Sequence, residues 1–224
     1  MIKTVHYTIY YFQVIVIFIS LIFSFRIIKN KNTPEYFSNF YWYSIVSLVN
    51  VLPQLILYMF FKTFREQVSV IHNLSILFHF CFLSIFIIRV IHNKRNLKYL
   101  ISLFIFFLAS ISLSLAYNNL QKFLPLAFTI SNFGLVIFCI FYYYELFKNI
   151  PSIDLKKTPS FWVVTGVFFC MGAFLPVSGT VDYLRGRVSD LIILSLFNVM
   201  IFCYIIMHLF FIKAYLCVTP RSKA

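Results

Sequence analysis

Two histidines seven residues apart, His72 and His79, and two carboxamides four apart, Asn50 and Gln54, stand inside apolar runs of this chain. Both spacings are close to whole helical turns, so each pair shares one helix face. Imidazoles so placed could contribute to a metal shell, and carboxamides donate and accept hydrogen bonds at once. Neither pair is completed into a catalytic set. Glu35, Glu66, Glu145, Asp154, Asp182 and Asp190 are the whole carboxylate complement, and all fall in connectors or near helix ends, which leaves no acid–base dyad at mid-depth. No third metal ligand stands near the two histidines, and the chain has neither H-E-x-x-H nor G-x-S-x-G. Cys81, Cys139, Cys170 and Cys203 lie in apolar runs without C-x-x-C spacing and read as small packing residues. Lys213 sits at the end of the last run, too shallow for a retinal-type Schiff base. The residues therefore predict no enzymatic active site, no metal and no cofactor.

The elements that position these side chains are apolar segments. A composition 62% hydrophobic and only 11% charged excludes a soluble surface, and a net charge of +13 dispersed in short clusters does not form the single basic face that nucleic acid requires. Apolar runs fall at 7–25, 37–61, 68–91, 98–117, 123–147, 160–178 and 190–214. At about 20 residues per crossing these predict one all-α, seven-transmembrane-helix domain over 1–224, with no room for an extramembrane domain. Helices are required because an unclosed strand would leave backbone groups unpaired in lipid. The first run is followed directly by Arg26, Lys29 and Lys31 and has no small-residue cleavage pattern, so it reads as a retained helix.

Lys and Arg set the orientation. Arg26, Lys29, Lys31, Arg89, Lys94, Arg95, Lys98, Lys148, Lys156, Lys157, Lys213, Arg221 and Lys223 fall on one side; Lys3, Lys62, Arg65, Lys122, Arg185 and Arg187 fall on the other. By the positive-inside rule the richer side is cytoplasmic, which places the N-terminus outside and the C-terminus inside. Tyr10, Tyr11 and Tyr117 then read as the outer aromatic belt, and Trp42, Tyr43, Tyr142 to Tyr144 and Trp162 as the inner one.

Depth sorts the intramembrane polar residues into two tiers. Gln13, Asn50, Gln54, His72, His79, Asn132 and Asn198 lie in the outer half or middle, and of these Asn50, Gln54, His79 and Asn132 are expected to line a ligand pocket open to the outside. Pro53 removes the bond to the Val49 carbonyl and can bend the second helix there. Hydrogen-bonding glue between helices, worth about 0.6–2 kcal/mol per contact, is the alternative for the same side chains. At the inner ends, Arg89 and Glu145 share a depth and are expected to pair as a breakable switch, with snorkelling of Arg89 to the interface as the alternative. Gly166, Cys170 and Ala173, spaced by four and three, predict a narrow packing seam on the sixth helix.

The join between the fifth and sixth runs reads Tyr142-Tyr143-Tyr144-Glu145-Leu146-Phe147, then Pro151, Lys156-Lys157 and Pro159-Ser160-Phe161-Trp162-Val163-Val164-Thr165-Gly166. It resembles a group of Bacteroidota-type seven-helix inner-membrane proteins of similar length, in which a tyrosine-rich helix end and a basic linker precede a Pro-x-Phe-Trp-x-x-x-Gly helix start. His79 stands near the position where that group carries a carboxylate. The resemblance implies a bacterial inner-membrane companion of a two-component sensor kinase. The expected role is thus a sensory or accessory subunit acting through a cytoplasmic partner such as a kinase, with the bilayer around it and the basic segments as contact points for partner or anionic lipid. A small-solute transporter or permease is the alternative; a buried coupling carboxylate and a repeat relating two halves, which many such proteins have, are not evident.

Overall fold

The computed structural model describes the chain except residues 1, 29–32, 39, 61–64, 92, 123, 149–153, 185 and 219–224; side chains at 2–5, 7, 26, 28, 38, 57–60, 65–68, 94–95, 182 and 190 are also outside the description. Every regular element among the described residues is helical: α1 (Ile2–Ile28), the single turn α2 (Glu35–Ser38), α3 (Phe40–Phe60), α4 (Arg65–Val90), α5 (Lys94–Tyr117), α6 (Pro125–Lys148), a 3₁₀ turn (Leu155–Lys157), α7 (Pro159–Leu184) and α8 (Asp190–Val218). Six of these helices, α1, α4, α5, α6, α7 and α8, are long and apolar enough to cross a membrane, the make-up of a multi-pass membrane protein. α3, whose side chains are described only over 40–56, is not among the six, so the expectation of seven spans is met in part. Asn50, Pro53 and Gln54 fall within two turns of it.

Two boundaries differ from the apolar runs for identifiable reasons. The second run is divided, with α2 ending at Ser38 before α3 begins at Phe40. α7 continues to Leu184 through Pro176, although that ring leaves the Gly172 carbonyl without its usual donor. Thr180 Oγ1 donates to the Pro176 carbonyl at 2.7 Å and Ser178 Oγ to the Leu175 carbonyl at 3.3 Å, so nearby hydroxyls stay within the helix's own polar network. The helix ends at Leu184, two residues before Gly186, whose φ of 77° is one that side-chain-bearing residues rarely adopt.

Neighbouring helices form a closed ring in the order α1, α3, α4, α6, α7, α8 and back to α1. α5 lies outside it, packed in the groove between α4 and α6. The groove exists because α6 has no side chain at Gly134: a Cβ there would come within 2.9 Å of Phe80 on α4 and 3.1 Å of Phe107 on α5. Gly166 plays the same part between α7 and α8, where a Cβ would lie 2.8 Å from Phe210 Cβ and 3.2 Å from the Met207 carbonyl. Cys170 is fully buried one turn further on, and Ala173 packs against the core after it. At Gly166 the expected seam meets α8.

The half of the ring away from the N-terminus of α1 is filled by aromatic rings. Phe40 lies 4.8 Å from Phe86 and 5.1 Å from Phe211 between centroids, and Phe37, Tyr43 and Tyr215 complete the cluster. Lipid tails are as apolar as these side chains, so the cluster stabilises the bundle by close packing rather than by leaving water.

Candidate functional site

The other half of the ring encloses a cavity of about 650 Å³, in the range of sites for small molecules. All six ring helices line it, and no described residue of α5 does. It reaches within about a turn of the N-terminal ends of α1, α4 and α8, at His6, Ser69 and Ile193, and ends inward at His79, Met200 and Tyr204. From Ile193 to Tyr204 along α8 that is a depth of about 16 Å at 1.5 Å per residue. Below this floor the aromatic cluster begins.

Asn50, Gln54, His79 and Asn132, the four residues expected to share a pocket, all line this cavity. Their hydrogen bonds divide between the two readings of the outer tier. Gln54 Nε2 donates to Asn50 Oδ1 at 2.7 Å within α3, and Tyr10 on α1 donates its hydroxyl to Gln54 Oε1 at 3.3 Å, so this pair does join two helices. His79 Nε2 is 3.3 Å from the Tyr204 hydroxyl across the floor. Asn132 Nδ2, His79 Nδ1 and Gln13 Oε1 are buried with no hydrogen-bond partner among the described residues. Glue therefore accounts for the α1–α3 contact and leaves single polar atoms on α1, α4 and α6 unmet.

Several lining residues escaped the sequence reading. Tyr10 was assigned to the outer belt, but its hydroxyl points inward to Gln54. His6 Nδ1 is hydrogen-bonded to Asn198 Oδ1, which joins α1 to α8. Tyr43 and Tyr142, assigned to the inner belt, are buried in the core, whereas Trp42, Tyr144 and Tyr117 are exposed as a belt requires. Asn73, beside His72, has a structural task at the cavity's end of the bundle. It donates to the carbonyls of Leu120 and Lys122 at 2.9 and 2.8 Å and accepts from the Leu124 amide at 3.3 Å, tying down the α5–α6 connection.

The expected Arg89–Glu145 switch pair is not formed. Ile76, Phe80, Leu83, Ile87 and Val90 make the buried face of α4, and Arg89 projects away from it, exposed and with no ion pair to any described residue. Glu145 lies on the buried stripe of α6 and its Oε1 accepts the Asn93 amide at 3.1 Å, immediately before α5. A carboxylate at a helix start meets both an unpaired N–H and the positive end of the helix dipole, which explains its burial without a switch.

At this same end the basic linker is built onto α7 and α8. Asp154 accepts the Lys156 amide and pairs with Lys157 at 2.9 Å, and that hydrogen bond from Lys157 holds the exposed Asp154 carboxyl below the usual carboxylate range. Trp162 Nε1 and Cys217 Sγ both donate to the Lys156 carbonyl, at 3.0 and 3.4 Å. Lys213 on α8 stands 5.7 Å above the Trp162 ring. Tyr142 bonds Ser160 at 3.2 Å and Tyr143 bonds Thr165 at 2.9 Å, so the tyrosine run fastens α6 to α7. The remaining topology charges Lys3, Arg26, Lys29, Lys31, Lys62, Arg65, Lys94, Arg95, Arg185, Arg221 and Lys223 have side chains outside the described residues. Among the described residues no group of three His, Cys, Asp or Glu side chains is arranged to hold a metal. No family model matches this chain, and no curated protein or solved structure is significantly similar to it, so the cavity's own geometry carries the functional reading.

Proposed function

We propose that this protein is a membrane sensory or accessory subunit that binds a small molecule in the cavity and acts through a cytoplasmic partner. The observation carrying the reading is the division of one ring into two halves: a roomy cavity reaching toward one end, and a floor of packed aromatic rings beneath it. A blind site of this kind suits a binder better than a conduit, which would need a path through the floor. α3 serves as the seventh span in this reading, since it closes the ring between α1 and α4. The 13 to 6 division of Lys and Arg supports a bacterial inner-membrane orientation with the N-terminus and the cavity outside and the basic linker inside. α8 joins the two ends: it contributes cavity wall from Ile193 to Tyr204, touches the linker through Cys217, and sets Lys213 over Trp162 of α7, which itself bonds the linker. The resemblance at the α6–α7 join supports a sensor kinase as the partner.

Three measurements test this reading. Affinity purification of the full chain from its own membranes should recover a cytoplasmic signalling protein, and its recovery should fall when Lys156 and Lys157 are both replaced by Gln. Saturable solute uptake by proteoliposomes, with no partner recovered, would favour the transporter instead. Reporter fusions at Ala224 should be active only for a cytoplasmic reporter.

A further inference from the structure

Opposite members of a six-helix ring face each other across its interior, and α1 and α6 are opposite members here. Each contributes one nearly buried carboxamide to the cavity: Gln13, 6% exposed, and Asn132, 2% exposed. What they leave unmet is complementary, an acceptor at Gln13 Oε1 and a donor at Asn132 Nδ2. At the floor, His79 Nδ1 is also unmet while its Nε2 is engaged by Tyr204, so the imidazole is fixed in place and keeps one polar atom available. Buried polar groups left unmet are costly, and an occupant that met these would recover that cost. No Asp, Glu, Lys or Arg is among the described side chains lining the cavity, and the wall is mostly apolar. An ion entering it would lose its hydration without gaining a counter-charge.

We propose that the ligand of this cavity is an uncharged, mostly apolar compound carrying a neutral amide or lactam, its carbonyl accepting from Asn132 and its N–H donating to Gln13. This rests on the reading of the cavity as a ligand site and adds the chemistry of what it takes. Charge selectivity follows from the uncharged lining, and the demand for both a donor and an acceptor follows from the two facing carboxamides.

The probe is an isosteric trio on one ring body: 2-naphthamide, 2-naphthoate and 2-naphthamidinium. Binding of each, radiolabelled, to the full chain in nanodiscs is measured by equilibrium dialysis, with empty nanodiscs correcting for partitioning into lipid. The amide should bind saturably and the two ions should not. Gln13→Met and Asn132→Leu should each weaken the amide about tenfold, as loss of one buried hydrogen bond would. Should either variant fail to fold, the selectivity of the unaltered protein for the amide still decides. Binding of either ion as tightly as the amide, no saturable amide binding, or undiminished binding by both folded variants overturns the proposal. A Gln54→Cys variant, with the native cysteines replaced, separates the two levels of the reading. If an impermeant maleimide labels it while the amide fails to bind, the ligand class is wrong and the site stands; if the thiol is protected in the folded protein, the site itself fails.

Discussion

Replacing Gly166 should loosen the α7–α8 contact more than any other single change on that seam. An added Cβ would stand 2.8 Å from Phe210 Cβ, where ordinary contact begins at 3.4 Å, so α8 must retreat by roughly 0.6 Å. Phe210 Cβ and the Met207 carbonyl are anchored to the backbone and cannot swing aside as a side-chain tip would. Overpacking of this kind costs about 1–3 kcal/mol, while Ala gains about 1 kcal/mol over Gly in helix propensity. Gly166→Ala should therefore destabilise by about 0–2 kcal/mol, and Gly166→Leu by more, since the larger side chain enters the same gap. Cys170→Ala removes one buried atom without forcing the helices apart and should cost about 1 kcal/mol. The assay is equilibrium unfolding in mixed micelles, followed by Trp162 fluorescence in a Trp42→Phe background. Trp162 stacks on Phe210 at 5.9 Å between centroids and so reports on this contact. Unfolding of Gly166→Leu at the unaltered midpoint, or a larger loss in Cys170→Ala than in Gly166→Leu, would refute the seam.

Three further outcomes are expected. Asn73→Leu removes three bonds to the α5–α6 connection, worth about 0.5–1.5 kcal/mol each, and should speed amide hydrogen exchange over residues 118–124 while the aromatic half stays protected. A double-mutant cycle of Arg89→Ala and Glu145→Gln should give a coupling energy within about 0.5 kcal/mol of zero; coupling well above that would restore the pair. Because its folded pKa is depressed, Asp154 contributes to ordering the linker at pH values above the unfolded carboxylate range near about 4, and that contribution is lost as pH falls through the folded value. NMR titration of Asp154 should thus show a midpoint below that of a linker peptide, and Lys157→Gln should bring the two together.

The helical class and the depth of the polar residues were legible because both follow from residue type along the chain. Asn50, Gln54, His79 and Asn132 stand out against apolar neighbours at similar distances from one membrane face, and that common depth places them at one cavity. Lateral arrangement left a weaker mark. Six of the long helices are comparably apolar, so nothing in their composition marks α5 as the one outside the ring; Gly134, which admits Phe80 and Phe107, is the residue that could have hinted at it. Equal depth also misled for Arg89 and Glu145, because a pair needs facing sides as well as matching heights, and Arg89 is rotated off the buried face of α4. Tyrosine was ambiguous for a related reason. An amphipathic ring suits both a membrane interface and a polar cavity, so Tyr10 and Tyr43 read as belt residues until their surroundings were known.

The central claim is that one half of the ring is an accessible cavity and the other half is closed. Three single-cysteine variants in a background without the native cysteines test it: Gln54→Cys in the cavity wall, Asn132→Cys at mid-cavity and Phe211→Cys in the aromatic half. With an impermeant thiol reagent applied from the side bearing the N-terminus, the first two should be labelled in the folded protein and the third only after denaturation. Labelling of Phe211→Cys at a rate comparable with the other two, or protection of both cavity positions, would contradict the account.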